Sequence, residues 1–275
     1  MKITTLIENH PSTNQPVLEA EHGVSFFIEN LGHVIMSDVG QTGNFATNAV
    51  KLGCDLARVE ALAISHYHYD HGGGLRQFFQ KNQEAKVYLR QVLSDVDYVA
   101  ISASQPDRYI GLDKGLLAQH EDRIVKVDQN WAIFPWFHLL VDIPWEYPKP
   151  SGDQRLMMKK GDQILPDTFE HEMVMVLEGA QGLVVLTGCA HNGVLNMVAA
   201  TQKAFPGKPI LAVIGGFHLH HEGDERIRKI GKTLLSWEIP HVVTGHCTGD
   251  AAMDILAEVL GETLRPLHSG LILEF

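Results

Sequence analysis

Cysteine is scarce in this chain: Cys54, Cys189 and Cys247 are the only three in 275 residues. So small and odd a number argues against a disulfide framework, and the expected location is the cytoplasm. Long apolar runs are lacking too. None reaches the roughly 18 residues that would suggest a membrane span, and MKITTLIENHPSTNQ turns polar too early for a secretory signal peptide. Positive charge is also short, with 22 Lys and Arg against 33 Asp and Glu and a formal net charge of −11. That balance argues against nucleic acid as a partner, because a non-specific grip needs basic side chains that release phosphate counterions. It leaves room for a small anionic substrate at a local positive site. No 20–50-residue repeat and no low-complexity tract occurs, so a solenoid is not expected.

Apolar residues make up 45% of the chain, ample for a sizeable core, and histidine is frequent, with 16 copies. VSFFIEN and HVIMSDVG read as two strands joined by a turn at Asn30–Gly32, GNFATNAVKLG as a helix, ALAIS as a short buried strand, GLRQFFQKN as a helix and AKVYLR as a strand. From 91 to 166 the pattern degrades into a stretch rich in aromatics and proline, which reads as an insertion within one domain spanning 1–275. Regularity returns with EMVMVLE and LVVLTGC as a hairpin, followed by a helix over 194–204, the strand PILAVIGG, a helix over 225–237, the strand HVVTGHC, a helix over 250–260 and a final strand LILEF. Strands alternating with helices in both halves predict α/β layers.

The stretch SHYHYDHGGG, residues 65–74, carries the chemistry. His66, His68 and Asp70 alternate, so extended backbone points them to one side, and His71 follows directly. Imidazole and carboxylate are ligands that Zn, Mn and Fe(II) accept, and four such groups this close together call for a cation. The glycines after them let the backbone pass near the site.

The H-x-H-x-D-H loop resembles the signature of the metallo-β-lactamase-fold metallohydrolases. The likeness extends through RYIGL, LTGCAH, IGGFHL and TGHCTG, and is similar to the branch containing archaeal dihydropterin aminobenzene-phosphate synthases. The resemblance implies an αβ/βα four-layer sandwich with two divalent transition metal ions, Zn first and Mn or Fe as alternatives. It assigns His66 and His68 to metal one and Asp70 and His71 to metal two. His191 then completes metal one and His246 metal two. The wider superfamily usually has a metal-bridging Asp where Cys189 stands. Cys189 reads as packing beside the metals, with ligation as the alternative; Cys247 reads as packing. His218 is a candidate general acid or oxyanion donor, with a supporting role as the alternative, and Asp70 joins it as a catalytic group. Asp38 reads as a support for the metal loop, Glu172 as a residue that orients a ligand or simply begins its strand, and the remaining histidines, His171 and His22 among them, as surface or core residues.

Two ions held together can activate water and clamp both sides of a displacement. The expected function is therefore hydrolysis of a small, anionic, phosphoester-type substrate. The alternatives are a transferase of the synthase type and a sensor that binds metal without turnover. Tyr98, Tyr109, Trp131, Trp136 and Trp145 could lid the cleft, or serve as core.

Overall fold

A computed structural model of the chain describes residues 1–12, 17–92, 95–102, 104–105 and 107–275. Residues 13–16 of the N-terminal stretch, and 93, 94, 103 and 106 of the aromatic-rich one, lie outside the described set. Two seven-stranded sheets dominate. The first runs in the order Ile272–Glu274, Lys2–Ile7, Ser25–Asn30, His33–Ser37, Ala61–Ala63, Lys86–Arg90 and Ile124–Val127. The second runs Leu264–Pro266, His241–Gly245, Ile210–Gly216, Leu183–Leu186, Val174–Glu178, Phe137–Leu140 and Trp131–Phe134. In each sheet, one half is antiparallel and the other parallel.

The strands read as apolar runs because both of their faces are buried. Phe26 and Ile28 point into the core between the sheets, whereas Phe27 points to the outer helices. The second sheet repeats the alternation: Met175, Leu177, Val184 and Leu186 face inward, and Val174, Val176, Leu183 and Val185 face out. A helix face covers each outer surface. Phe45, Ala46 and Ala49 of Asn44–Leu52 and Leu75, Phe78 and Phe79 of Leu75–Lys81 pack on the first sheet. Val194–Ala204, Asp224–Ser236 and Asp250–Leu260 pack on the second. Three core layers between two sheets and two helical layers form the αβ/βα sandwich.

The stretch 91–166, read from sequence as an insertion, contributes strands to all three sheets. Ile124–Val127 extends the first, and Trp131–Phe134 with Phe137–Leu140 closes the second. Asp97–Ala100, Arg108–Tyr109, Leu156–Lys160 and Gln163–Pro166 form a separate four-stranded sheet. Trp136 is buried in the core between the sheets and Tyr98 is buried beside the metal loop, whereas Tyr109, Trp131 and Trp145 are exposed. The N-terminal residues Lys2–Ile7, which sequence patterning left unassigned, form an interior strand. No helix among the described residues is long and apolar enough to cross a membrane.

Candidate metal centre

The candidate metal ligands and most of their supports follow the carboxyl ends of strands. Glu8 and Asn9 follow Lys2–Ile7, Asp38 follows His33–Ser37, and Ser65–His71 follows Ala61–Ala63. Cys189 and His191 follow Leu183–Leu186, His218 follows Ile210–Gly216, and His246 follows His241–Gly245. In open α/β sheets this edge is where backbone turns outward and leaves a crevice. Asp38, Ala190, His218 and His246 all hold left-handed backbone, with φ between 50° and 56°. Non-glycine residues adopt that region at a cost of about 1–3 kcal/mol, supported by the structure around them.

Donor atoms converge in two sets that share one sulfur. Cys189 Sγ lies 3.2 Å from His71 Nε2 and 3.3 Å from His246 Nε2. The two ring nitrogens are 3.2 Å apart, and Asp70 Oδ2 is 3.5 Å from the first and 3.3 Å from the second. The second set joins His66, Cys189 and His191, and His68 Nδ1 is 3.1 Å from His66 Nε2. The structure thus brings His66, His68, Asp70, His71, His191 and His246 to one place. It also sets Cys189 among the donor atoms of both sets, a position that favours ligation over packing. Buried rings crowded this tightly would repel if protonated. Burial, and then neighbouring His71 and His68, holds His66 well below its ordinary pKa. Burial likewise lowers His191 strongly and takes His246 down to about 4. Burial alone would raise Asp70, but the charge of His71 and the neighbouring His22 and His246 rings hold it well below the usual carboxylate range. An ionised Asp70 and neutral His66, His191 and His246 are protonation states that a divalent ion requires, whereas His71, which burial lowers but Asp70 and Asp38 raise above its ordinary value, would give up its proton on binding one.

The outer edges of the rings show the same design. Asp38 Oδ1 accepts from the Ser65 N–H at 2.7 Å, and Asp38 Oδ2 from the Ser65 hydroxyl at 2.8 Å. With its proton committed there, Ser65 Oγ accepts from His66 Nδ1 at 2.9 Å. His71 Nδ1 donates to Asp38 Oδ2 at 2.7 Å, His246 Nδ1 to Asn9 Oδ1 at 3.0 Å, and His191 Nδ1 to Asp153 Oδ1 at 2.8 Å. Each outer nitrogen therefore carries the proton, and each Nε2 presents a lone pair inward. His191 Nε2 is buried with no hydrogen-bond partner, which a bound cation would satisfy. The residues fit a two-metal centre.

Around this set lie groups that act on its loops or its cleft. Glu172 accepts from the backbone N–H groups of His191 and Asn192, at 2.8 and 2.7 Å, and so shapes the loop that carries His191. Glu8 accepts from the His246 N–H. His218 is buried, and neither ring nitrogen has a hydrogen-bond partner, although Asp153 Oδ1 stands 3.1 Å from its Nε2. Burial, with Glu172 and Asp167 nearby, pushes Asp153 up to about 9. His22 Nε2 is 3.3 Å from Asp70 Oδ2, so this half-exposed residue edges the site and is not a remote surface histidine. His171, read from sequence as core or surface, is buried 3.0 Å from Asp167 and beside His68. Sequence inspection gave no signal for Asn9, Asp153 or Asp167, because each comes from irregular chain far from the motif.

The comparisons agree with this geometry. The model of the metallo-β-lactamase superfamily matches residues 18–196. Across both full lengths (100% of this chain, 97% of the relative), the chain is 28% identical to a protein of Methanocaldococcus jannaschii named 7,8-dihydropterin-6-methyl-4-(β-D-ribofuranosyl)-aminobenzene-5′-phosphate synthase. A solved structure described as a metal-dependent hydrolase of the β-lactamase superfamily is 29% identical. It superposes with a TM-score of 0.85 over 100% of this chain and 99% of its own. Zn-bound PqqB from Methylobacterium extorquens, at 11% identity, a TM-score of 0.58 and full coverage of both chains, shares the fold. With the family model covering well over half its length and its structure showing the fold's layers, the chain belongs to the metallo-β-lactamase superfamily.

Proposed function

We propose that the chain is a two-metal enzyme that cleaves a phosphoester-type bond in a small anionic substrate, with water as acceptor. The observation that carries this reading is the pair of inward-facing donor sets meeting at Cys189 Sγ. In it, His66, His68 and His191 would hold one ion and Asp70, His71 and His246 the other, with Cys189 within reach of both. When bound, such a pair of ions polarises a phosphoryl oxygen and makes water acidic enough to attack near neutral pH. Asp70, the carboxylate beside that pair, orients the attacking water by accepting its hydrogen bond. His218, buried with both ring nitrogens unpartnered and held well below its ordinary pKa by burial, donates its N–H to the phosphoryl oxygen as a neutral ring. A nearby cavity of about 630 Å³ takes its walls from Pro150, Leu195 and Phe217 and its rim partly from Arg226, Lys229 and Lys232. Glu222 and Glu225 line it too, but basic side chains outnumber acidic ones, and apolar walls with that balance suit a ring-bearing anion.

The full-length likeness to a synthase favours a second reading, in which the same centre holds a departing phosphate-bearing group while an organic acceptor replaces water. One experiment separates the two. Zn- or Mn-loaded protein is given bis(p-nitrophenyl) phosphate, a pyrophosphate ester and, separately, an activated 6-methyl-dihydropterin with a ribofuranosyl-aminobenzene 5′-phosphate. Release from the esters, abolished by chelation and by His191→Ala, supports hydrolysis. A coupled product seen by mass spectrometry without ester cleavage supports transfer. No metal-dependent turnover of any probe would sink both.

A further inference from the structure

We propose that Asp167 and His171 are positioning residues for His68, fixing its proton on Nε2 so that Nδ1 faces metal one. The proposal rests on the two-metal reading. His68 is buried, and its Nδ1 stands 3.1 Å from His66 Nε2, a contact that by itself draws the proton to Nδ1 and that a bound ion would replace. Its Nε2 points away and has no hydrogen-bond partner. The carboxylate oxygen it faces is Asp167 Oδ2, at 3.9 Å.

What holds that oxygen can be traced to backbone. The Tyr67 N–H donates to His171 Nδ1 at 3.1 Å. An amide can only donate, so Nδ1 is the unprotonated nitrogen of a neutral ring, and the ring proton sits on Nε2. That nitrogen donates to Asp167 Oδ2 at 3.0 Å. Asp167 Oδ1 accepts from the Phe169 N–H at 2.7 Å, so the carboxylate is held at both oxygens. Both side chains are buried, and the Tyr98 ring, 4.2 Å from His171, wedges the imidazole in place.

At 3.9 Å the carboxylate acts on His68 by charge and not by a formed hydrogen bond. In a buried site that charge is little screened. An anionic oxygen repels a nitrogen lone pair and attracts an N–H edge, so it selects the Nε2–H tautomer. Only this tautomer leaves Nδ1 free to bind an ion. The amide that begins the chain belongs to Tyr67, the residue before His68. The metal loop thus sets its own partner through Asp167 and His171, which arrive from the turn between Gln163–Pro166 and Val174–Glu178.

The test uses the full chain labelled with ¹⁵N-histidine. Two-bond ¹H–¹⁵N spectra of the metal-free protein should show a larger share of the Nε2–H tautomer of His68 in the wild type than in Asp167→Asn, against the pull of His66 Nε2 on Nδ1. Asp167→Asn turns an amide N–H₂ toward His68 and should weaken the first ion about 10- to 100-fold, the range for outer partners of metal ligands. The second ion should keep its affinity. His171→Ala should act in the same direction, and His171→Gln, whose amide can still donate to Asp167, should restore most of the affinity. The same His68 tautomer populations in the wild type and Asp167→Asn, or unchanged affinity in Asp167→Asn, overturns the proposal. So would three ions per chain, because the donor atoms of His68, Asp167 and His171 lie within 4.8 Å of one another and would then form a metal site themselves. If the wild type takes up no ion, the two-metal reading fails, and the His68 tautomer still decides this one.

Discussion

Cys189 is the residue whose chemistry departs most from the superfamily pattern, where a carboxylate usually bridges. In the metal-free protein, burial, reinforced by Cys247, pushes its thiol well above the ordinary value. A bound cation would reverse that preference by displacing the proton and taking the thiolate as ligand. Cys247 plays another part: its Sγ accepts from the His218 N–H at 3.3 Å and faces the Cys189 carbonyl at 3.5 Å, tying two loops together. Cobalt-loaded wild type should therefore show a near-ultraviolet sulfur-to-metal charge-transfer band. Cys189→Ser should abolish the band and Cys247→Ser should keep it. A wild-type spectrum without that band would return Cys189 to the packing role first read from the sequence. Cys54 serves as an internal control. Its thiol, pushed up to about 11 mainly by burial, stays protonated at pH 8, so alkylation there should be slow with or without metal.

At the level of elements, the site depends on how closely two strand ends approach. Ser65 follows a strand of the first sheet and Gly188 a strand of the second. A Cβ on Gly188 would lie 2.0 Å from Ser65 Oγ and 3.1 Å from His66 Nδ1. The hydroxyl is the link between Asp38 and His66, so it cannot yield without breaking both bonds. Gly188→Ala should destabilise the fold by about 1–3 kcal/mol, the usual cost of overpacking a buried position. It should also weaken metal binding more than Gly207→Ala, which, despite left-handed backbone, meets nothing within 4 Å. Thermal melts with and without added Zn would read both effects. Unchanged metal affinity in Gly188→Ala would show that the Ser65 brace is dispensable. The glycines of the metal loop act similarly: a Cβ on Gly74 would sit 2.2 Å from the Val39 carbonyl oxygen. Short side chain there lets the helix Leu75–Lys81 start against the Asp38 turn.

Across the whole molecule, the centre ties the sheets together at one edge. Asn9, Asp38 and the residues 65–71 come from the first sheet, and Cys189, His191, His218 and His246 from the second. Ions held between them would bind the folded state and stabilise it by about 2.7 kcal/mol each at a free concentration 100 times the dissociation constant. For a chain of this size each kcal/mol is worth about 2–4 °C. Chelation should lower the melting temperature by several degrees per ion lost, and added Zn should restore it. Elemental analysis beside the melts should track two ions per chain. A melting temperature indifferent to chelation, with metal content near zero throughout, would remove the metal centre from the account.

Local sequence determined much of this. Period-two and period-3.6 patterning marks most of the core strands and helices, because burial on a sheet or helix face imposes those spacings on any chain. The loop 65–74 displays its chemistry because four donors within six positions have no inexpensive alternative use. His191 and His246 were legible through the strand-then-glycine context before them. Tertiary structure alone decided what completes and orients the donors. Asn9, Asp153, Asp167 and His171 are separated from the rings they serve by up to 237 residues, and a hydrogen bond between distant segments leaves no periodic trace in either. The same holds for the strands within 91–166, whose short, aromatic and proline-broken runs become regular only when a neighbouring strand supplies their backbone partners. Cys189 shows the division most directly. Its sequence context allowed a ligand or a packing residue, and only the convergence of two sheets sets its sulfur among the donor nitrogens of both sets.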